Sequence, residues 1–168
     1  MVTAKDIKGF KIFSGLTANE LKRLATLCHR QTCEANTTII DPNKPNKNLY
    51  IVEDQNEAIQ IEVPISNHTD KLVLHTLGKG EIFGWSAVVR QHVKTTVTRC
   101  ISQVTVIFIN GKELLQYLDQ DHHIGYIVMK NLVEILGDRL TYTTVAFRHE
   151  IRVERNKLKQ SVPKKQAS

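Results

Sequence analysis

Between residues 31 and 109 the chain is written in short β-branched runs parted by turn residues, with no helical period between them. Thr37, Thr38, Ile39 and Ile40 form one such run, and Asp41-Pro42-Asn43 with Pro45-Asn46 marks the loop after it. Leu49-Tyr50-Ile51-Val52 is a second run, short enough to be buried on both faces. In residues 58–63, Ile59, Ile61 and Val63 alternate with Ala58, Gln60 and Glu62, the period of a half-buried strand. Residues 64–70 read as a polar turn, Leu72-Val73-Leu74 resumes the sheet, and residues 97–101 and 104–109 supply a closing pair. Roughly six to eight short strands at this spacing predict a mainly β fold, a sandwich or jelly roll, with helices only at its ends.

Those ends carry a different period. Ile7, Phe10 and Phe13 predict a helix over residues 3–13, which Ser14-Gly15-Leu16 breaks. Thr17 and Glu20 have the spacing of a capping box, and Leu21, Leu24 and Leu27 carry the helix behind it to about Cys28. Asn110-Gly111 is a turn ahead of a short helix over residues 112–118. Beyond Asp121, Ile124, Val128, Leu132, Leu136, Leu140, Phe147 and Ile151 run mostly at spacing four, with Ile127 and Ile135 beside them. Roughly 35 residues of helix reach about 50 Å, farther than a small sandwich extends, so a parallel homodimer through residues 124–151 is expected. The β-branched stretch 141–145 weakens that helix somewhat. The expected layout is residues 1–121 for the β-roll and its flanking helices, 122–160 for the long helix, and 161–168 for a basic tail.

At 168 residues the chain suits one domain with an appended helix. Its net charge of +6 is concentrated near the end, where residues 147–168 hold seven Lys or Arg against Glu150 and Glu154. No groove-wide basic surface follows from that. No apolar run approaches the ~20 residues that span a bilayer, and Met1-Val2-Thr3-Ala4-Lys5-Asp6 does not read as a signal segment. A soluble cytoplasmic protein without a membrane partner is expected. Cys28, Cys33 and Cys100 are odd in number and lack a Cys-x-x-Cys pair, which argues against a disulfide framework or a zinc site. Cys28 and Cys33 would make a redox pair only if facing strands brought them together. The seven histidines show no His-x-x-x-His spacing, and no Gly-x-Ser-x-Gly elbow or phosphate-binding Walker loop occurs. Neither catalytic nor metal-ligating residues are assigned, and the chain is read as a non-enzyme.

One segment inside the strand-rich stretch points to a ligand. Gly78-Lys79-Gly80-Glu81-Ile82-Phe83-Gly84-Trp85-Ser86-Ala87 reads as a glycine-rich turn and a short loop or helix able to cradle a phosphate. Lys94-Thr95-Thr96-Val97-Thr98-Arg99 then returns as a strand beneath it. Together with the order of parts around it, this segment resembles the phosphate-binding cassette of the cyclic-nucleotide sensor domain in the Crp/Fnr superfamily. The resemblance runs from about Phe13 to Arg155. It implies a cyclic-nucleotide-binding-like β-roll with N-terminal helices and a long C-terminal dimerisation helix.

The resemblance also implies a site. Backbone amides around Gly84, Ser86 and Ala87 would hold a cyclic phosphate, small residues there permitting close approach, and Thr95 and Thr96 would add hydroxyls. Two positions depart from the pattern. Trp85 stands where nucleotide-binding members carry a glutamate for the ribose hydroxyl, and an indole has no acceptor. Lys94 stands where they carry an arginine, keeping the charge but losing the two-pronged geometry. At about 1.5–3 kcal/mol per charge-assisted bond, the two changes cost roughly 2–5 kcal/mol, about 30- to several-thousand-fold in affinity.

Three readings of the pocket stay open: Trp85 fills a dead pocket, it stacks on a flat ligand whose anionic group meets Lys94 and the amides, or an ordinary cyclic nucleotide binds by backbone contacts alone. No cofactor is required, and a cyclic nucleotide is weakened by Trp85 and Lys94. Arg99 is a further anion candidate, and a histidine-held haem is a minor reading that the same superfamily implies. The family's transcription factors continue into a helix-turn-helix domain, so sequence-specific DNA binding is not expected of this chain alone. The expected function is a single-domain sensor or regulatory protein with a degenerate cassette, taking a non-standard small ligand or none. A dimeric scaffold with a vestigial pocket and the sensor half of a Crp/Fnr-type regulator are the alternatives.

Overall fold

A computed structural model describes residues 1–54, 57–64, 71–89 and 96–161. The single N-terminal helix expected over residues 3–13 is two pieces, α1 (Ala4–Ile7) and a 3-10 turn (Lys11–Phe13), parted at Lys8-Gly9. The break lets Ile7, Phe10, Ile12 and Phe13 all turn inward, which one straight helical stripe does not allow. α2 (Ala18–Ala25) starts as its spacing predicts. The Glu20 carboxylate accepts from the Thr17 N–H at 2.7 Å, and the Thr17 hydroxyl accepts from the Glu20 N–H at 3.4 Å. Such a cap contributes about 1 kcal/mol. α2 stops short of Leu27, because Cys28 already opens the first strand.

The eight strands are β1 (Cys28–Cys33), β2 (Thr38–Ile40), β3 (Asn48–Val52), β4 (Ile59–Pro64), β5 (Lys71–Leu77), β6 (Ile82–Phe83), β7 (Val97–Cys100) and β8 (Val104–Asn110). They form two four-stranded antiparallel sheets ordered β1-β8-β3-β6 and β2-β7-β4-β5. Tyr50, Val52, Phe83, Val104 and Val106 from the first sheet meet Ile40, Ile59, Leu77 and Cys100 from the second in one core. Burying each large apolar side chain of this kind stabilises by about 1.5–3 kcal/mol. The β-roll is therefore the expected one. β1 is the exception to its legibility: its four middle residues are exposed, and only pairing with β8 makes it a strand.

α3 (Gly111–Gln120) is capped by Asn110, whose Oδ1 accepts from the Lys112 and Glu113 N–H groups at 3.0 and 3.3 Å. α4 (His122–Ser161) has 40 residues. The chain divides into two compact units, Met1–Ile135 and a second beginning at Leu136. Within the first unit Ile124, Val128 and Leu132 are buried, and Asn131 Nδ2 donates to the Ile12 and Ser14 carbonyls at 3.1 and 2.8 Å. Within the second, Leu140, Tyr142, Val145, Phe147 and Ile151 are exposed. The stripe that reads as continuous in sequence thus divides between a buried part and an exposed part.

Candidate functional site

The cassette begins with a turn that its own side chain ties down. The Glu81 carboxylate accepts from the Gly78 N–H at 2.7 Å and lies 2.8 Å from His75 Nε2. Gly80, at φ +80°, donates to the Val52 carbonyl at 2.8 Å. β6 then pairs with β3, where Phe83 stacks on Tyr50 with ring centroids 4.8 Å apart. Gly84 follows at φ +72° and leads into a short 3-10 turn, Trp85–Ala87. A β-carbon on Gly84 would stand 2.6 Å from the Asn48 carbonyl oxygen and 2.9 Å from Asn46 Nδ2. Only glycine fits, both for the left-handed backbone and for the space.

Two neighbours hold the turn from outside. Asn46 Nδ2 donates to the Gly84 carbonyl at 2.9 Å and lies 3.5 Å from Ser86 Oγ. On the other side Gly111 presses its backbone against Ala87, and a β-carbon there would overlap the Ala87 carbonyl. Trp85, Ser86 and Ala87 are each half-buried. β7, in the second sheet, is preceded by the half-buried Thr96. Lys94 and Thr95, the remaining expected ligand-binding residues, lie outside the described residues.

The register sorts β7 by face. Cys100 pairs with Ile59, and Ile59 with Leu77, all three buried in the core. Two residues along, Thr98 pairs with Ile61 and Ile61 with His75, so His75, Ile61 and Thr98 share that inner face. The sequence reading missed His75 and Thr98. Their only sequence signal is strand alternation counted from Leu77 and Cys100. Arg99, read as a further anion candidate, faces the other way. Its Nε lies 3.8 Å from Oε2 of Glu62, a buried carboxylate that Lys71 Nζ also approaches at 3.1 Å. Arg99 therefore answers a charge within the sheet.

The thiols are not reactive groups. Burial pushes Cys28 and Cys100 up to about 12, and it raises Cys33 as well. Cys28 and Cys33 close opposite ends of β1, so they cannot meet; the thiol in contact with Cys33 is Cys100. Asp6, Glu20 and Asp121 are held below the usual carboxylate range, first by the backbone N–H groups of Thr3, Thr17 and Ile124. These are helix-start capping groups. Among the described residues no group of three or more His, Cys, Asp or Glu could hold a metal ion. No helix there is long and apolar enough to cross a membrane. A cleft of about 650 Å³ lies between the N-terminal residues, α2 and the start of β1, and none of the cassette residues lines it.

Residues 30–121, more than half of the chain, match the family described as "Cyclic nucleotide-binding domain". Among curated proteins, Glutaminase 1 of Bradyrhizobium diazoefficiens is 26% identical over 129 residues, 77% of this chain. The match spans only 20% of that protein's length. Among solved structures, a cyclic nucleotide-binding domain from Methylobacillus flagellatus superposes with a TM-score of 0.73 at 13% identity, over 96% of this chain and 84% of that one. The c-di-GMP responsive global regulator CLP of Xanthomonas campestris superposes at 0.66 with 22% identity, over 76% of this chain and 61% of its own. At those identities the two structures show the fold alone.

Proposed function

The chain belongs to the cyclic nucleotide-binding domain family, and from that premise we propose that it is a non-enzymatic sensor or regulatory module whose cassette takes a flat, anionic small ligand. Trp85 carries this reading. It stays half-buried, while Tyr50, Phe83, Val104 and Val106 fill the neighbouring core without it. A tryptophan that only plugged an emptied pocket would be buried. One left partly open offers a ring face, and stacking on such a face contributes about 1–3 kcal/mol per base. The anionic group meets the backbone around Gly84, Ser86 and Ala87, the Lys94 ammonium and the hydroxyls of Thr95 and Thr96. No cofactor enters this scheme. Three buried free thiols support a reducing compartment such as the cytoplasm.

The output is a helix-mediated homodimer. Tyr126, Val133, Leu140 and Phe147 are all exposed and follow one another at intervals of seven residues, the period of a coiled-coil seam. Ile124, Val128 and Leu132 are committed to the chain's own core and take no part. The same exposed residues favour a second reading, a dimeric scaffold that ignores small molecules.

Trp85 is the only tryptophan, so its fluorescence separates the two. Cyclic AMP, cyclic GMP and cyclic di-GMP, the last chosen from the Xanthomonas protein's name, are titrated to millimolar with calorimetry alongside. Saturable change with any of them supports the sensor. Silence from all three by both methods leaves the scaffold. Trp85→Glu is expected to restore the missing acceptor but remove the stacking face, so the two contributions offset and cyclic AMP affinity changes by less than about tenfold.

A further inference from the structure

We propose that Asn46 is the positioning residue of the cassette, and that with Lys47 it forms a clasp joining the cassette to α3. This deepens the sensor reading and rests on it. Asn46 lies between β2 and β3, in a stretch that reads from sequence only as a loop. Both ends of its amide are engaged. Oδ1 accepts from the Asn48 N–H at 3.2 Å and shapes its own loop. Nδ2 donates to the Asn48 and Gly84 carbonyls, each at 2.9 Å, with Ser86 Oγ at 3.5 Å. It therefore holds the carbonyl of the left-handed residue on which the direction of Trp85 and Ser86 depends.

The next peptide grips the helix beyond. The Lys47 carbonyl accepts from the Gly111 N–H at 2.8 Å, at the first residue of α3. Gly111 is also the residue whose missing β-carbon makes room for the Ala87 carbonyl. Residues 46 and 47 thus hold the start of the cassette turn and the start of α3 side by side. A ligand that displaces Gly84 from Asn46 strains the same short loop that anchors Gly111. Cassette position and α3 position are coupled through two adjacent peptides at the end of the β3–β8 ladder, where Asn48 pairs with Asn110.

Aspartate has the shape of asparagine but no N–H, so Asn46→Asp sets a carboxylate against two carbonyl oxygens. Asn46→Ala removes the group without adding charge. In both full-length variants, amide hydrogen exchange at Ala87 and Gly111 is expected to rise on the order of five- to thirtyfold at neutral pH, the factor for one or two lost hydrogen bonds. The Leu21 amide in α2, bonded to the Thr17 carbonyl, is expected to keep its rate. Acrylamide quenching of Trp85 then separates the hydrogen bond from mere bulk. As the pH falls through about 4 the introduced carboxyl takes up a proton and regains one donor, so quenching in Asn46→Asp returns towards wild type while Asn46→Ala stays high. The titratable groups on the adjoining segments, Asp41, Lys44, Lys47, Tyr50, Lys94, Lys112 and Glu113, are common to both variants and cancel in that comparison.

Wild-type exchange at Ala87 and Gly111 in both variants overturns the proposal. So does an equal rise at Leu21, or an Asn46→Asp signal that does not return with acid. No ligand is used, so the clasp stands or falls separately from the sensor reading: a chain that binds no nucleotide can pass, and one that binds can fail.

Discussion

Replacing Gly84 with alanine tests the cassette geometry most directly. The backbone there has φ +72°, a conformation that costs an L-residue about 1–2 kcal/mol. The added methyl would stand 2.6 Å from the Asn48 carbonyl oxygen, 2.9 Å from Asn46 Nδ2 and 3.0 Å from Tyr50 Cδ2. Two of those neighbours are fixed by β3 and the third by its own hydrogen bonds, so overpacking adds roughly 1–3 kcal/mol. The stiffer unfolded chain returns about 0.4–1 kcal/mol. The net expectation is a loss of about 2–4 kcal/mol, or a melting temperature lower by roughly 5–15 °C for a chain of this size. Urea denaturation followed by circular dichroism measures it. The control is Gly137→Ala in α4, where nothing lies within 4 Å of a new β-carbon and the backbone is helical. That change is expected to stabilise by about 0.5–1 kcal/mol. A Gly84→Ala protein within about 0.5 kcal/mol of wild type would refute the left-handed, crowded placement of Gly84.

Leu140→Glu is expected to abolish dimerisation in sedimentation experiments and leave the melting of the β-roll within about 0.5 kcal/mol, whereas Leu132→Glu, which buries a charge, is expected to unfold it; a dimer that survives Leu140→Glu excludes the exposed seam. The thiols set an alkaline limit. Cys28 and Cys100 ionise near 12 when folded and about 8.5 when unfolded, so the unfolded state sheds their protons first. Stability then falls as pH rises between those values, by about 1.4 kcal/mol per pH unit for each thiol, and Cys28→Ala is expected to fall less steeply. At the acid end Asp6, Glu20 and Asp121 have lowered folded values, so their contribution is present above about pH 4 and is lost as pH drops through them; Glu20→Gln, compared with wild type from pH 5 to 2, checks that direction.

Part of this site was legible in the residues alone. Gly84, Trp85, Ser86 and Ala87 stand out because a glycine-rich turn between strands is a local pattern. The residues that hold that turn are not local to it. Asn46 lies 38 positions away from Gly84, and asparagines in a Pro-Asn loop give no sign of reaching a distant carbonyl. His75 and Thr98 share a face only through their common partner Ile61, which requires the register of three strands. Arg99 is a different case: its residue type invited an anion, and the buried Glu62 carboxylate on the neighbouring strand lies 3.8 Å from its Nε.

The order of elements followed from the sequence because period, capping and turn chemistry act over a few residues: Thr17 with Glu20 starts α2, and alternation in residues 58–63 writes β4. Family membership came with them, since the cassette is a contiguous string. What only the tertiary structure decided is where a uniform pattern divides. Residues 3–13 break into a helix and a 3-10 turn because four apolar side chains must all reach one core. β1 exists because β8 pairs with it, not because its exposed middle carries a strand pattern. The apolar residues of α4 divide into Ile124, Val128 and Leu132, which are buried, and Leu140, Phe147 and Ile151, which are exposed. Periodicity records that a side chain seeks burial; only the packed chain determines whether the burying surface is its own.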